Sequence, residues 1–232
     1  MTSSLDLSAS GSPKPVVAML VADDITLLDV IGPHTALMAA TEIHLVASSM
    51  SPITSDTGLL MHPTTTFDDA PDVIDVLLVP GGPATAAMME DEQVMSFLQH
   101  RAPRAKYVTA VCTGTLVLGA AGLLEGRRAT AHWAVLDLLP LFGAEPVDAR
   151  VVIDGNLMTG GGVTAGIDFG LTLLAELVGP ESAALAQLAM EYAPEPPFNS
   201  GTPHTAAPEH VAIAKAFISP LADAIRSAHP GR

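Results

Sequence analysis

YVTAVCTGTLVLGAAGLL, residues 107–124, is eighteen residues without a charge, and it holds Cys112, the single cysteine of a 232-residue chain. About twenty apolar residues cross the hydrocarbon core of a bilayer, so length alone permits a membrane span. Composition points elsewhere. Tyr107 to Val111 are mostly aromatic or β-branched, as strands favour, while Thr113, Gly114, Thr115, Gly119 and Gly122 break up the remainder. The stretch therefore reads as a strand, a sharp turn at Cys112 and a helix.

The same alternation extends in both directions. Apolar runs at 16–21 and 75–79, with shorter ones at 43–47 and 151–153, have the character of strands buried on both faces. Helical patterns fall at 27–41, 91–102, 113–124, 134–142, 165–178 and 181–192. Strand alternating with helix predicts an α/β fold around a mostly parallel central sheet. Residues 57–67, TGLLMHPTTTF, are expected to form a small antiparallel excursion, and Asp154-Gly155-Asn156 a hairpin turn. The proline-rich segment 193–208 cannot be a helix interior and reads as a meandering loop. A last helix, 209–228, is expected to be interrupted at Pro220. The domain organisation expected is a flexible polar arm over 1–14, one domain over 15–207 and a helical extension over 208–232.

Composition excludes several classes of function. Ten Lys and Arg against 25 Asp and Glu give a net charge of -15, which repels nucleic acid and anionic membranes. The first fourteen residues lack the basic and apolar regions of a signal peptide, and a lone cysteine fits a reducing compartment, so a cytoplasmic location is expected. One cysteine leaves no disulfide within the chain, and the eight histidines show no metal-binding spacing, so no metal is expected.

Four segments carry potential chemistry. Cys112 sits between a strand end and a helix N-terminus, where open α/β sheets bind ligands and where the helix dipole favours a thiolate; equally, it is a small buried hydrophobe. PGGPAT, 80–85, follows a strand and offers backbone N–H groups, Gly82 among them, as an oxyanion hole or merely as a turn. The glycines 160–162 suit tight strand-to-helix packing better than a phosphate cradle, because no Walker lysine accompanies them. Asp29, in LLDVIGPH, is flanked by apolar residues and either faces a cleft or stabilises a helix N-terminus. His132, twenty residues after Cys112, is the natural base for a cysteine dyad or a structural residue.

Taken together, LLDVIGP, DVLLVPGGP, VTAVCTGTLVLGAAGLLEGRRATAHWA, DGNLMTGGGVTAGIDFGLTL and MEYAPEPPFNSGTP resemble the isocyanide hydratase family of the PfpI-type superfamily. The resemblance spans about residues 15–207. It implies the flavodoxin-like three-layer sandwich shared with class I glutamine amidotransferases, a homodimer, no cofactor, and a small-molecule isocyanide as substrate. By position, Cys112 matches the nucleophile and Asp29 the acidic residue that shares a hydrogen bond with it; backbone N–H groups near Gly82 and Thr113 are candidates to hold the developing charge. Gly161 and Val163 match residues that pack near the helix carrying the cysteine, and His132 is expected to pack at the site beside them. Thr113 stands where protease-like relatives carry histidine, and Ile31 where some relatives carry threonine. Within the superfamily, glyoxalase, deglycase or peptidase-like chemistry is the alternative, and a dimeric cysteine redox or ligand sensor is the alternative outside catalysis.

Overall fold

The computed structural model describes Leu7 and residues 13–229. Most of the expected arm at 1–14 therefore lies outside the described residues. Leu7 itself is buried, and its N–H donates to Ala39 O at 3.1 Å.

Seven strands form the central sheet: β1 (Val16–Leu20), β2 (Glu42–Ala47), β5 (Thr65–Thr66), β6 (Val76–Val79), β7 (Tyr107–Val111), β10 (Val151–Asp154) and β11 (Leu157–Gly160). Their order is β10-β11-β7-β6-β1-β2-β5, and only the β10–β11 pair is antiparallel. The inner strands β6 and β1 are buried almost throughout, which is why their sequences are continuous apolar runs and not alternating ones. Small pairs stand outside the sheet: β3 (Ile53–Thr54) with β4 (Leu60–Met61), antiparallel, and β8 (Arg128–Ala129) with β9 (Glu145–Pro146), parallel. The expected excursion at 57–67 is thus divided, its first part in β4 and its last in β5 at the sheet edge.

The helices are α1 (Leu27–Leu37), α2 (Thr85–Glu90), α3 (Glu92–Arg101), α4 (Gly114–Ala120), α5 (Ala165–Val178), α6 (Pro180–Ala189) and α7 (Pro208–Ala228). Crossovers run from β1 to β2 in one direction along the sheet and from β6 to β7 in the other. Right-handed connections put their helices on opposite faces, giving three layers. In agreement, α1 packs with α5 and α6, and α2 with α3 and α4. The reversal of direction falls between β1 and β6, the place where open α/β sheets accept ligands beyond their strand ends.

Helices α1 and α5 approach closely because α5 presents glycines to Pro33. A Cβ on Gly170 would lie 2.9 Å from Pro33 Cα and from Ala36 Cβ, and one on Gly166 would lie 3.1 Å from Pro33 Cδ. Two further expectations differ from the structure. Helix α7 continues through Pro220; the carbonyl this frees belongs to Ala216, which is exposed, so solvent satisfies it. The pattern at 134–142 forms a 3₁₀ helix, Trp133–Phe142, ending at Gly143 with φ +72°.

The opening stretch folds as strand β7, a turn and helix α4, and among the described residues no helix is long and apolar enough to cross a membrane. Gly114 makes the turn possible: a Cβ there would stand 2.3 Å from Val79 O and 2.5 Å from Pro80 O, both rigid backbone atoms. Gly114→Ala is therefore expected to destabilise the protein by about 2–3 kcal/mol, as forced overpacking does, read as a lower urea midpoint at an unchanged m-value.

Candidate active site

Four chain segments converge beyond the C-terminal ends of β1, β6, β7 and β11. Cys112 follows β7 directly and takes a left-handed backbone conformation, φ +60°. Such a conformation is costly for a residue with a Cβ and persists only when its surroundings enforce it. Here they do. The Cys112 N–H donates to Gly160 O and Gly161 O, each at 3.0 Å, and Cys112 O accepts from His132 N–H at 3.2 Å. The side chain is turned inward and is 4% exposed.

Asp29 comes from the first turn of α1 and is wholly buried. The start of that helix is fixed by Asp56, whose Oδ1 accepts from Leu27 N–H at 3.1 Å. Asp29 Oδ2 accepts from Gly81 N–H at 2.9 Å. Oδ1 has no partner of regular hydrogen-bond geometry among the described residues, although the Cys112 thiol reaches the carboxyl and couples to it. Burial dominates the electrostatics of this pair. It raises the Asp29 carboxyl to about 7, against the opposing pull of the Gly81 N–H and the thiol, with the charge of Asp56 adding to the rise.

Burial also raises the Cys112 thiol, and the Asp29 charge raises it further; N–H groups of Val163 and Thr113 directed at the sulfur only partly oppose this. The expectation of a thiolate stabilised by the helix N-terminus is thus corrected. Desolvation outweighs two N–H donors, and the resting form is the thiol. Above about pH 7 the pair carries a single proton, between two groups that both resist ionisation.

Gly82 is a second departure from the sequence reading. Its N–H is not free for a developing oxyanion, because it donates to Thr113 Oγ1 at 2.9 Å. Thr85 Oγ1 lies 2.6 Å from Thr113 Oγ1 and donates to Gly82 O at 2.8 Å. Each hydroxyl carries one proton, so Thr113 donates to Thr85 and a closed ring of three hydrogen bonds results. This ring locks the 81–85 turn to the residue after the cysteine. Gly82 adopts φ +124°, and a Cβ on it would meet Thr26 N at 2.4 Å.

Val163, expected only as packing, supplies a backbone donor to the sulfur from a strained turn with φ +29°. Gly161 joins it by accepting the Cys112 N–H and donating its own to Arg150 O at 2.9 Å. His132 is adjacent but differently employed. Its Nδ1 accepts from Ala134 N–H at 3.2 Å, its ring lies flush against Gly162, and burial lowers its pKa, so it is a neutral ring with its proton on Nε2. No hydrogen bond joins that ring to Cys112 among the described residues. Gly81 lies in the 80–85 turn that the sequence singles out for its backbone donors, whereas the role of Thr85 was missed by sequence reasoning. Adjacent glycines at 81 and 82 signalled a special turn without saying which N–H would face the carboxylate, and Thr85 reads as an ordinary helix-start residue.

Residues 15–176 match the DJ-1/PfpI family. Among curated proteins, the chain is 56% identical to an isonitrile hydratase of Pseudomonas putida over 192 residues, covering 82% of this chain and 84% of the relative. A deglycase of Thermococcus kodakarensis is 32% identical over 142 residues, 60% of this chain and 86% of its own. Among solved structures, a ThiJ/PfpI family protein from Pseudomonas syringae superposes with a TM-score of 0.90 at 44% identity, covering 92% of this chain and 90% of that one. A three-layer sheet with a buried cysteine on a left-handed strand-to-helix turn, together with these matches over most of its length, makes this chain a member of the DJ-1/PfpI family.

Proposed function

We propose that the protein is an isonitrile hydratase, adding water to R–N≡C to give the N-substituted formamide R–NH–CHO, with Cys112 as nucleophile and Asp29 as the acid-base group. The observation that carries this reading is the Cys112–Asp29 pair. Oδ2 is held as an acceptor by Gly81, which leaves Oδ1 as the site for a mobile proton beside the sulfur. The 56% identical relative named for this activity supports it.

The terminal carbon of an isonitrile must gain both a nucleophile and a proton. Asp29, as carboxylate, takes the thiol proton; the sulfur bonds to the terminal carbon, and Asp29 returns the proton to that same carbon. The product is a thioimidate, R–N=CH–S–Cys112, and Asp29 is again ionised. It then deprotonates a water that adds to the carbon, and passes that proton to the nitrogen. The resulting R–NH–CH(OH)–S–Cys112 expels the sulfur, which recovers a proton from the hydroxyl by way of Asp29, and formamide leaves. One water is consumed, and no cofactor enters. The N–H groups of Val163 and Thr113 stabilise charge on the sulfur as it leaves the proton and again as it departs.

The geometry favours this scheme over the alternatives. A cysteine hydrolase, glyoxalase or deglycase scheme built on a Cys-His dyad lacks its base: His132 Nδ1 is already an acceptor for Ala134, and Thr113 follows the cysteine. A redox sensor needs an accessible thiolate, whereas this sulfur is buried and held as thiol. We further propose that the enzyme is a cytoplasmic homodimer. Light scattering should then give twice the 23.8 kDa chain mass.

Purified protein incubated with phenyl or cyclohexyl isocyanide, followed by mass spectrometry, should form the corresponding formamide. Cys112→Ala should form none, and Asp29→Asn should lose on the order of 10²–10⁴ in rate, the range supplied by a positioned acid-base group. Absence of formamide from the wild type across several R groups would overturn the assignment. Because the step begins with ionised Asp29, the wild-type rate should climb as pH passes through about 7.

The same shift has a consequence for stability. A carboxyl whose pKa is raised from 3.8 in the unfolded chain to about 7 in the fold favours folding fully only below the lower value, and that contribution is lost as pH rises to the upper one. Asp29→Asn removes the penalty while keeping an acceptor for Gly81. The variant should be more stable than wild type by roughly 2–4 kcal/mol at pH 8 and by nothing at pH 3.5, as measured by urea unfolding.

A further inference from the structure

The proline-rich segment 193–207 takes no part in the chemistry described, yet it is held against the body at both ends. Tyr192, just before it, donates its hydroxyl to Asp168 Oδ1 at 3.2 Å, and His204 Nε2 lies 2.7 Å from Asp148 Oδ2. Near His204 the backbone closes on itself, with Ala206 N–H donating to Thr202 O at 2.9 Å. The segment is therefore a strap, and beneath it lies a cavity of about 460 Å³, within the range that binds small organic ligands. Its walls are the strap at 201–204, residues 130–133, residues 148–150, and the turn at 161–165.

Three of those wall residues are the ones that hold Cys112. Gly161 accepts its N–H, His132 donates to its carbonyl, and Val163 directs an N–H at its sulfur. The charged groups that line the cavity are already engaged: Arg150 with Asp168 and Thr164, and His204 with Asp148. The rest of the wall is uncharged: the half-buried Trp133, Val163, Pro203 and alanines, with the ring of His132 and the threonines Thr130 and Thr202. The C–N≡C unit of an isonitrile is linear, so a terminal carbon placed on the sulfur carries R outward along one axis. The cavity is thus bounded by groups that fix the Cys112 backbone, and an R group directed to that side of the sulfur enters it.

Resting on the hydratase reading, we propose that this cavity is the subsite for the R group, that it takes uncharged aryl and branched alkyl isonitriles in preference to methyl isocyanide, and that Trp133 and the 201–204 strap set this preference. Burial of apolar surface on Trp133 favours the larger group, and the paired charges leave nothing to attract a charged one.

The test is the ratio of kcat/KM for phenyl isocyanide to that for methyl isocyanide, measured on the full-length wild type, Trp133→Ala and Thr164→Phe. Thr164 is exposed, lines the cavity and precedes α5 without capping it through its side chain; its Oγ1 accepts one bond from Arg150, which keeps Asp168 when that bond is lost, so the fold accepts a larger residue there that fills the space. The wild-type ratio is expected to exceed one, and each substitution should lower it on the order of tenfold, chiefly through KM for the phenyl substrate. If Trp133→Ala fails to fold, Thr164→Phe alone decides. Wild-type turnover of both substrates with a ratio that neither variant moves would overturn the subsite and leave the hydratase reading intact. A wild type that makes formamide from neither substrate overturns both.

Discussion

The left-handed backbone at Cys112 is the constraint from which the site follows. A non-glycine residue held at φ +60° carries a cost of about 1–3 kcal/mol, and here the carbonyls of Gly160 and Gly161 and the N–H of His132 enforce it together. The turn ends strand β7 abruptly and aims the sulfur at α1 instead of along the sheet. Its tight radius needs Gly114 against Val79 O, and the carbonyls of Gly160 and Gly161 hold it from the neighbouring strand.

A dry interior then sets the chemistry. Solvation would ionise Asp29 fully and make the thiol an ordinary one; burial brings the carboxyl to about 7 and holds the sulfur protonated. The polar groups around the pair are almost completely satisfied. Gly81 is bonded to Asp29, and Gly82, Thr113 and Thr85 close a ring among themselves. A site organised in this way has one proton free to move and few competing acceptors, which suits a reaction in which a single proton is passed twice.

Much of this arrangement is legible in the sequence because it depends on local patterns. Strand β7 and helix α5 fall where the β-branched run 107–111 and the apolar periodicity of 165–178 put them, and Cys112 is the one reactive side chain at a strand-to-helix junction. Contacts made across the fold are less legible. Gly82 was expected to offer a free donor, but its partner is a hydroxyl thirty-one residues away. The helix N-terminus that favours a thiolate is visible in sequence, whereas the burial that outweighs it comes from four separate segments. Pro220 marks a helix break in sequence, yet Ala216 is exposed and the helix continues. The short helix α2, six residues after a double glycine, is too brief to show a periodicity.

The coupling of a protonated sulfur to a carboxyl also confers chemical selectivity before any pocket shape is considered. In the proposed scheme, an alkylating agent or a peroxide, which reacts with a thiolate, offers no basic carbon to receive the displaced proton. The terminal carbon of an isonitrile is ambiphilic: its lone pair accepts a proton, and once protonated it is strongly electrophilic. A site that releases its nucleophile only as it delivers its proton is thereby tuned to reagents in which both properties reside on one atom.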